Sequence, residues 1–243
     1  MKPQHTLISF IKSTAIMLYF SVSINAQNDS IPQVVNDSIK IQEKYGLRIG
    51  ADISKLARTF VDDDYSGFEI NADYRLKKSL YIAAEIGVEE KTDITNYLNI
   101  TTQGSYIKGG VDFNMYENWL NMDNMIFTGF RLGASSFNHT LNSFNVYTTN
   151  QYWAPQYSST EAQKFDDLTA FWLELIIGIK AEILNNLYLG VNIQLKAKVT
   201  ETEIDNFTNI YIPGFGKTFD SAGLGAGYNY TISYRIPLYK KNK

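Results

Sequence analysis

The chain has no cysteine, only five prolines, and two histidines in 243 residues. Without cysteine it can hold no disulfide framework, no thiolate metal site and no lipid-modified cysteine at a processed N-terminus. Beyond residue 26 no continuous apolar run reaches the roughly 20 residues that a membrane helix needs. There is also no excess of basic charge. The 22 Lys+Arg, less Lys2 and Lys12 in the leader, stand against 25 Asp+Glu and leave the processed chain at −5. A nucleic-acid partner would call for a basic face, so none is expected.

What is present begins with an address. Lys2, His5 and Lys12 precede an apolar stretch from Thr14 to Ile24, and Ala26 offers a small residue before Gln27. This pattern predicts a cleavable secretory signal peptide over 1–26, too short to serve as a membrane anchor. Residues 27–44 are polar and aperiodic and read as a flexible leader on the periplasmic side. The remainder, 45–243, is rich in tyrosine and phenylalanine, with 17 and 14 in the whole chain.

From residue 45 the pattern has period two, which a helix cannot produce. Tyr45, Leu47, Ile49, Ala51 and Ile53 alternate with Gly46, Arg48, Gly50, Asp52 and Ser54. The same rhythm recurs around Phe68–Leu76, Leu80–Val88, Ile107–Met115, Ile126–Ala134, Phe171–Ile183, Leu187–Lys196 and Leu224–Ile236. The sixth segment is apolar on both faces near Trp172 and Ile176, so a buried helix is an alternative there. Short connections at 77–79, 117–124 and 185–186 alternate with longer ones at 57–64, 89–101, 135–167 and 200–221. Eight strands with short turns on one side and long loops on the other predict an all-β, antiparallel up-and-down transmembrane β-barrel in the outer membrane.

The polar face carries fourteen charges in equal numbers of each sign. Arg48, Arg75, Lys108, Arg131, Lys180, Lys196 and Arg235 stand against Asp52, Glu69, Asp73, Glu85, Asp112, Glu174 and Glu182. An eight-stranded barrel is only wide enough for side chains to fill it. Matched charges in its interior predict a filled lumen rather than a general pore. Tyr45, Tyr74, Tyr116, Trp119, Tyr188, Tyr234 and Tyr239 lie near strand ends and are expected in aromatic belts at the membrane boundary. A soluble lipocalin-like ligand carrier in the periplasm is the second reading, since alternation alone does not say which face points inward.

Several stretches, among them Tyr45-Gly-Leu-Arg-Ile-Gly-Ala-Asp-Ile-Ser-Lys-Leu56, Gly67-Phe-Glu-Ile-Asn-Ala-Asp-Tyr-Arg-Leu76, Gly104-Ser-Tyr-Ile-Lys-Gly-Gly-Val-Asp-Phe-Asn-Met-Tyr-Glu-Asn-Trp119, Asn209-Ile-Tyr-Ile-Pro-Gly-Phe215 and Tyr230-Thr-Ile-Ser-Tyr-Arg-Ile-Pro-Leu-Tyr239, resemble an uncharacterised Bacteroidota family, domain of unknown function 6048. The resemblance covers essentially the whole processed chain. It implies a small outer-membrane barrel and brings no catalytic residues with it.

Little in the sequence points to catalysis, and no enzyme, cofactor or metal is expected. His139 is the one histidine after the leader, near Ser135, Ser136 and Thr140, with Glu161 and Asp166 further along. A lipid-modifying hydrolase at the barrel rim is the third reading, because a serine nucleophile needs such a base. Gly223, Gly225 and Gly227 lack the following helix of a phosphate loop, and relief of crowding inside the barrel explains them better. Asp62, Asp63 and Asp64 lack the spacing of a calcium loop. Asp29-Ser30-Ile31 and Asp37-Ser38-Ile39 resemble O-glycan acceptors, which makes Ser30 and Ser38 candidates for modification, as does Asp220-Ser221-Ala222.

Binding is expected on the outer loops. Tyr147, Tyr152, Trp153 and Tyr157 in the longest loop, with Phe144, and Tyr211 and Phe215 in the loop before the last strand, are the candidate contact residues. The expected partners are outer-membrane lipid and an unidentified extracellular or envelope molecule, and the protein is expected to be a monomer.

Overall fold

The computed structural model describes residues 42–118, 123–146, 158–205, 207–219 and 223–242. Residues 1–41, with Ser30 and Ser38 among them, Trp119, Ser221 and Tyr147 to Tyr157 lie outside them, while 42–44, expected in the flexible leader, open the first strand. Among the described residues the elements run β1 (Gln42–Asp52), α1 (Ile53–Val61), β2 (Tyr65–Arg75), β3 (Leu80–Ile94), β4 (Leu98–Asn114), β5 (Met125–Asn145), β6 (Ser158–Ser159), β7 (Gln163–Leu184), β8 (Leu187–Glu201), β9 (Tyr211–Ile212), β10 (Gly216–Lys217) and β11 (Leu224–Asn242).

The long strands close on themselves. Every adjacent pair is antiparallel, in the order β4-β3-β2-β1-β11-β8-β7-β5, and β4 pairs with β5 to complete a ring of eight. Closure leaves no sheet end to satisfy, which is why a strand protein can cross a bilayer at all. The sixth long strand, β7, is regular and paired on both sides, so the helical alternative there is excluded.

The two faces of the wall separate by polarity. Ile49, Ile70, Ile86, Ile107, Phe130, Leu173, Ile177, Ile193 and Ile232 point outward and are exposed, while the alternating charges are turned in. Isoleucine, valine and phenylalanine suit this arrangement, because β-branched and aromatic side chains pack well on a pleated surface. A soluble carrier would place this apolar face inside. The observed orientation is that of a transmembrane barrel.

Four details depart from the sequence expectation. The segment after Asp52 is helical, with Asp52 as N-cap accepting from the Ser54 amide at 2.8 Å. The expected loop 89–101 is mostly strand, since β3 and β4 remain in register up to Ile94↔Asn99. Likewise β5 and β7 run 21 and 22 residues, far beyond the roughly 9–11 that cross a bilayer. Beyond the apolar band, Ser66, Glu90, Gln103, Ser105, Ser136 and Asn138 face outward, so these hairpins project past the lipid. Finally, Tyr188 is buried inside rather than set in the boundary belts. Tyr45 is buried beside a register shift between Tyr45 and Gly46, stacked on the exposed Tyr239 at 4.9 Å.

Candidate functional site: the filled lumen and its outer mouth

The interior is built in tiers, each fixed by which residue of the period-two repeat points in. At the end holding both strand termini, Arg235 pairs with Asp123 and, at 3.3 Å, with Glu182. Lys44 reaches Glu182 at 2.9 Å, and Arg75 lies 3.7 Å from Asp123. Tyr188 sits between the Arg48 and Arg235 guanidinium groups and donates its hydroxyl to Asp123 at 2.8 Å. Asp123, from the connection between β4 and β5, was not among the sequence candidates. Nothing in the strand pattern marks a turn residue that folds back inside.

Above this tier Arg48 and Lys180 both hold Asp73 at 2.6 Å, beside an apolar shelf of Tyr81, Met125, Phe127 and Ile176. Lys108 is central to the next tier. It meets Glu85, Glu69 at 3.3 Å and Glu174 at 3.9 Å, and it is almost wholly buried. Arg131 bridges Glu85 at 3.3 Å and Asp112 at 2.7 Å. Neutral donors complete the set: Tyr106 and Asn229 donate to Glu69, and the Trp172 indole donates to Glu174. Pairing of this kind is what makes buried charge tolerable, because an unpaired charge in this setting costs several kcal/mol, and Asp112 and the second oxygen of Glu174 rely on their ion pairs alone. A cavity of about 20 Å³ is left among these groups, room for a water molecule or so.

Thirteen of the fourteen predicted charges therefore meet in this network. The exception is Asp52, which is buried but is used to cap α1.

The outer end is closed by chain. Residues 209–217 form a small hairpin of β9 and β10 that enters the barrel mouth. Ile212 and Phe215 join Tyr106, Phe137, Leu168, Ala170 and Trp172 in one apolar cluster. Tyr211 and Phe215 are thus buried in the lumen and do not form an outward surface with the longest loop. Gly214 explains how the hairpin fits. It has φ +81°, and a Cβ there would collide with the Tyr106 ring. Gly225 clears space for the Phe215 ring in the same way.

Polar contacts hold this plug in place. Glu89 accepts from the Gly214 amide at 2.9 Å, the Tyr211 hydroxyl at 2.8 Å and the Tyr65 hydroxyl at 3.0 Å, and it pairs with Lys55. Burial, and then the Glu89 carboxylate, push the Tyr211 hydroxyl well above its ordinary pKa, so it remains a donor. Lys196 donates to the carbonyls of Gly214 and Phe215 at 2.6 and 3.2 Å. Neither Glu89 nor Lys55 was legible as a site residue, because one lies beyond the apolar band and the other on an unexpected helix.

His139 is fully buried at this level. Its Nδ1 lies 2.7 Å from Thr102 Oγ1, and its Nε2 lies 3.0 Å from Asn209 Oδ1. Asn209 donates in turn to Glu201 at 3.1 Å and to the Thr202 carbonyl at 2.9 Å. The imidazole thus ties the plug to β4 and β5 and makes no contact with Ser135 or Ser136. Asp62 is engaged by Arg58 and Lys91 at 3.1 and 3.5 Å, and no group of metal-ligating side chains occurs among the described residues.

The family described as Domain of unknown function (DUF6048) matches residues 6–241. The chain belongs to that family. No curated protein matches it. Among solved structures, Ail, the attachment invasion locus protein of Yersinia pestis, is similar with a TM-score of 0.40 and 8% identity, over 82% of this chain and 100% of that one.

Proposed function

We propose that this chain is an outer-membrane protein, exported by a cleavable leader, whose lumen is plugged and whose work is binding at its outer face. The observation that carries this reading is the filled interior. Ion-pair tiers occupy the barrel from the Arg235 end to Lys108 and Glu174, and the 209–217 hairpin fills the mouth. A barrel with no aqueous path does not conduct solutes, so function falls to the projecting hairpins and loops, where Tyr147, Tyr152, Trp153 and Tyr157 remain the candidate contacts. Membrane lipid and an envelope or extracellular molecule are the proposed partners, and the protein acts as a monomer. A non-catalytic role is supported by His139, whose ring nitrogens are both engaged in holding the plug.

Fractionation with heat-modifiable gel migration, followed by planar-bilayer recording, tests this reading. The protein is expected in the membrane fraction, migrating faster when unboiled and giving no conductance steps. Release without detergent, or steady open channels, would refute it.

A further inference from the structure

The ring is not equally closed at all heights. β1 pairs with β11 only from Asp52↔Thr231 downward, and with β2 only from Ala51↔Ile70 downward. Above those rungs β2 continues to Tyr65 and β11 to Leu224. Among the described residues no strand pairs with their facing edges there, and α1 packs into the gap against both. On β11 this stretch lies within the apolar band, since outward Tyr228 and Tyr230 neighbour Ile193 and Val191 on β8, and on β2 the band reaches as far as outward Phe68. Unpaired strand edges facing lipid are costly, which makes the seam the place where the wall needs a cover.

The cover is two-faced. Phe60 and Val61 are 86% and 85% exposed, whereas Lys55 and Arg58 line a cavity of about 300 Å³ behind the helix. That cavity wraps around the free edge of β11. Inward Asn229 and outward Ala226 and Tyr228 all line it, so it reaches from the barrel mouth toward lipid. Its lining carries five cations, Lys55, Arg58, Lys91, Lys196 and Lys217, against two carboxylates, Glu89 and Asp93. Lys196 spends its buried charge mainly on backbone carbonyls, with Glu174 at 3.7 Å, Arg58 and Lys91 share Asp62, and Lys55 pairs with Glu89 and lies 3.9 Å from Glu69.

We infer that this seam pocket takes the phosphate-bearing headgroup of an outer-leaflet lipid, entering sideways past α1 while its acyl chains stay in the bilayer. The convergence of five cationic side chains on a partly desolvated pocket supplies the donors and the attraction for phosphate. The lateral opening at the β11 edge selects an amphiphile over a free anion. The exposed apolar side chains of α1 and Tyr228 give the chains a surface to lie on.

The inference rests on the outer-membrane reading, yet the two fail separately. A protein found in the membrane fraction but indifferent to phospholipid charge would overturn the pocket alone. The test uses the full processed chain in a neutral detergent, probed by native mass spectrometry with dihexanoyl phosphatidic acid, dihexanoyl phosphatidylcholine and inorganic phosphate. Phosphatidic acid is expected to be retained in preference to both. Arg58→Glu with Lys217→Glu, both on exposed side chains, is expected to weaken retention roughly tenfold while leaving heat-modifiable migration unchanged. Equal retention of phosphatidylcholine, or retention insensitive to the double reversal, would overturn the proposal. Inorganic phosphate binding as tightly as the lipid would assign the pocket to a free anion and overturn lateral entry.

Discussion

The wall on the β4–β5 side and the wall at the β1 seam are made on different terms. β4 and β5 pair without interruption from Asn114↔Phe127 to Ile100↔Leu141, with one register shift near the tip. Their pairing continues well past the apolar band, and no further covering is needed. Across the barrel, β1 stops after 11 residues and a nine-residue helix stands in for the missing rungs. The backbone ladder holds the first side. The second depends on side chains, such as Thr59 Oγ1, which accepts from the Gly67 amide at 2.9 Å on the free edge of β2. A ladder of backbone hydrogen bonds fixes the first wall, whereas a helix held in a seam by side chains can move or be displaced. The difference assigns rigidity to one side and exchange with the surroundings to the other.

The strongest way to break the comparison is to collapse the interior that both sides share. Lys108→Met would leave Glu69, Glu85 and Glu174 facing one another without their central cation, and a loss of about 3–5 kcal/mol is expected. Urea titration of the refolded protein in micelles checks this, and a wild-type midpoint would show that the tier is not a structural requirement. Next in size, Gly214→Val should expel the plug, since both the φ and the Tyr106 ring forbid a side chain, with a cost of about 1–3 kcal/mol. Greater access of a soluble quencher to Trp172 fluorescence would report the opened mouth, measured with Trp119 and Trp153 replaced by phenylalanine. His139→Ala should loosen the same hairpin by about 1–2 kcal/mol and leave the outer-membrane lipid profile unchanged. A changed profile would instead revive the rim hydrolase.

The smallest effect is a pair of neighbours on the rigid side. A Cβ at Gly109 meets nothing within 4 Å, whereas one at Gly110 runs into the Phe130 backbone. Gly109→Ala should therefore stay within about 0.5 kcal/mol of wild type, and Gly110→Ala should be clearly less stable. Thermal unfolding of the two variants side by side would show whether register on this wall is as described.

Much of this was readable from alternation, and the failures have physical causes. Within the bilayer one face must be apolar and the other polar, so Leu187 to Lys196 announces its strand and its inward side together. Outside the lipid both faces are polar, and the signal vanishes although β3 and β4 continue to Ile94 and Leu98. The helix was masked differently. Ile53 extends the outward row of Leu47, Ile49 and Ala51, yet Ile53, Leu56 and Phe60 also fit helical spacing behind the Asp52 cap. Tyr188 was misplaced because an aromatic at a strand end suits a belt and a cation–π sandwich equally well. The inward turn of residues 209–217 left no trace in periodicity. Its clue was Pro213-Gly214 next to Phe215, opposite a strand whose inward positions include Gly225 and Gly227.

Amide hydrogen exchange of the protein in lipid nanodiscs tests most directly the claim that one ring is closed by strands on one side and by a helix on the other. Alternate amides of Leu224 to Tyr230 on β11, at the same depth as the protected core of β4 and β5, are predicted to exchange markedly faster than those rungs. Uniform slow exchange around the ring at that depth would contradict the account.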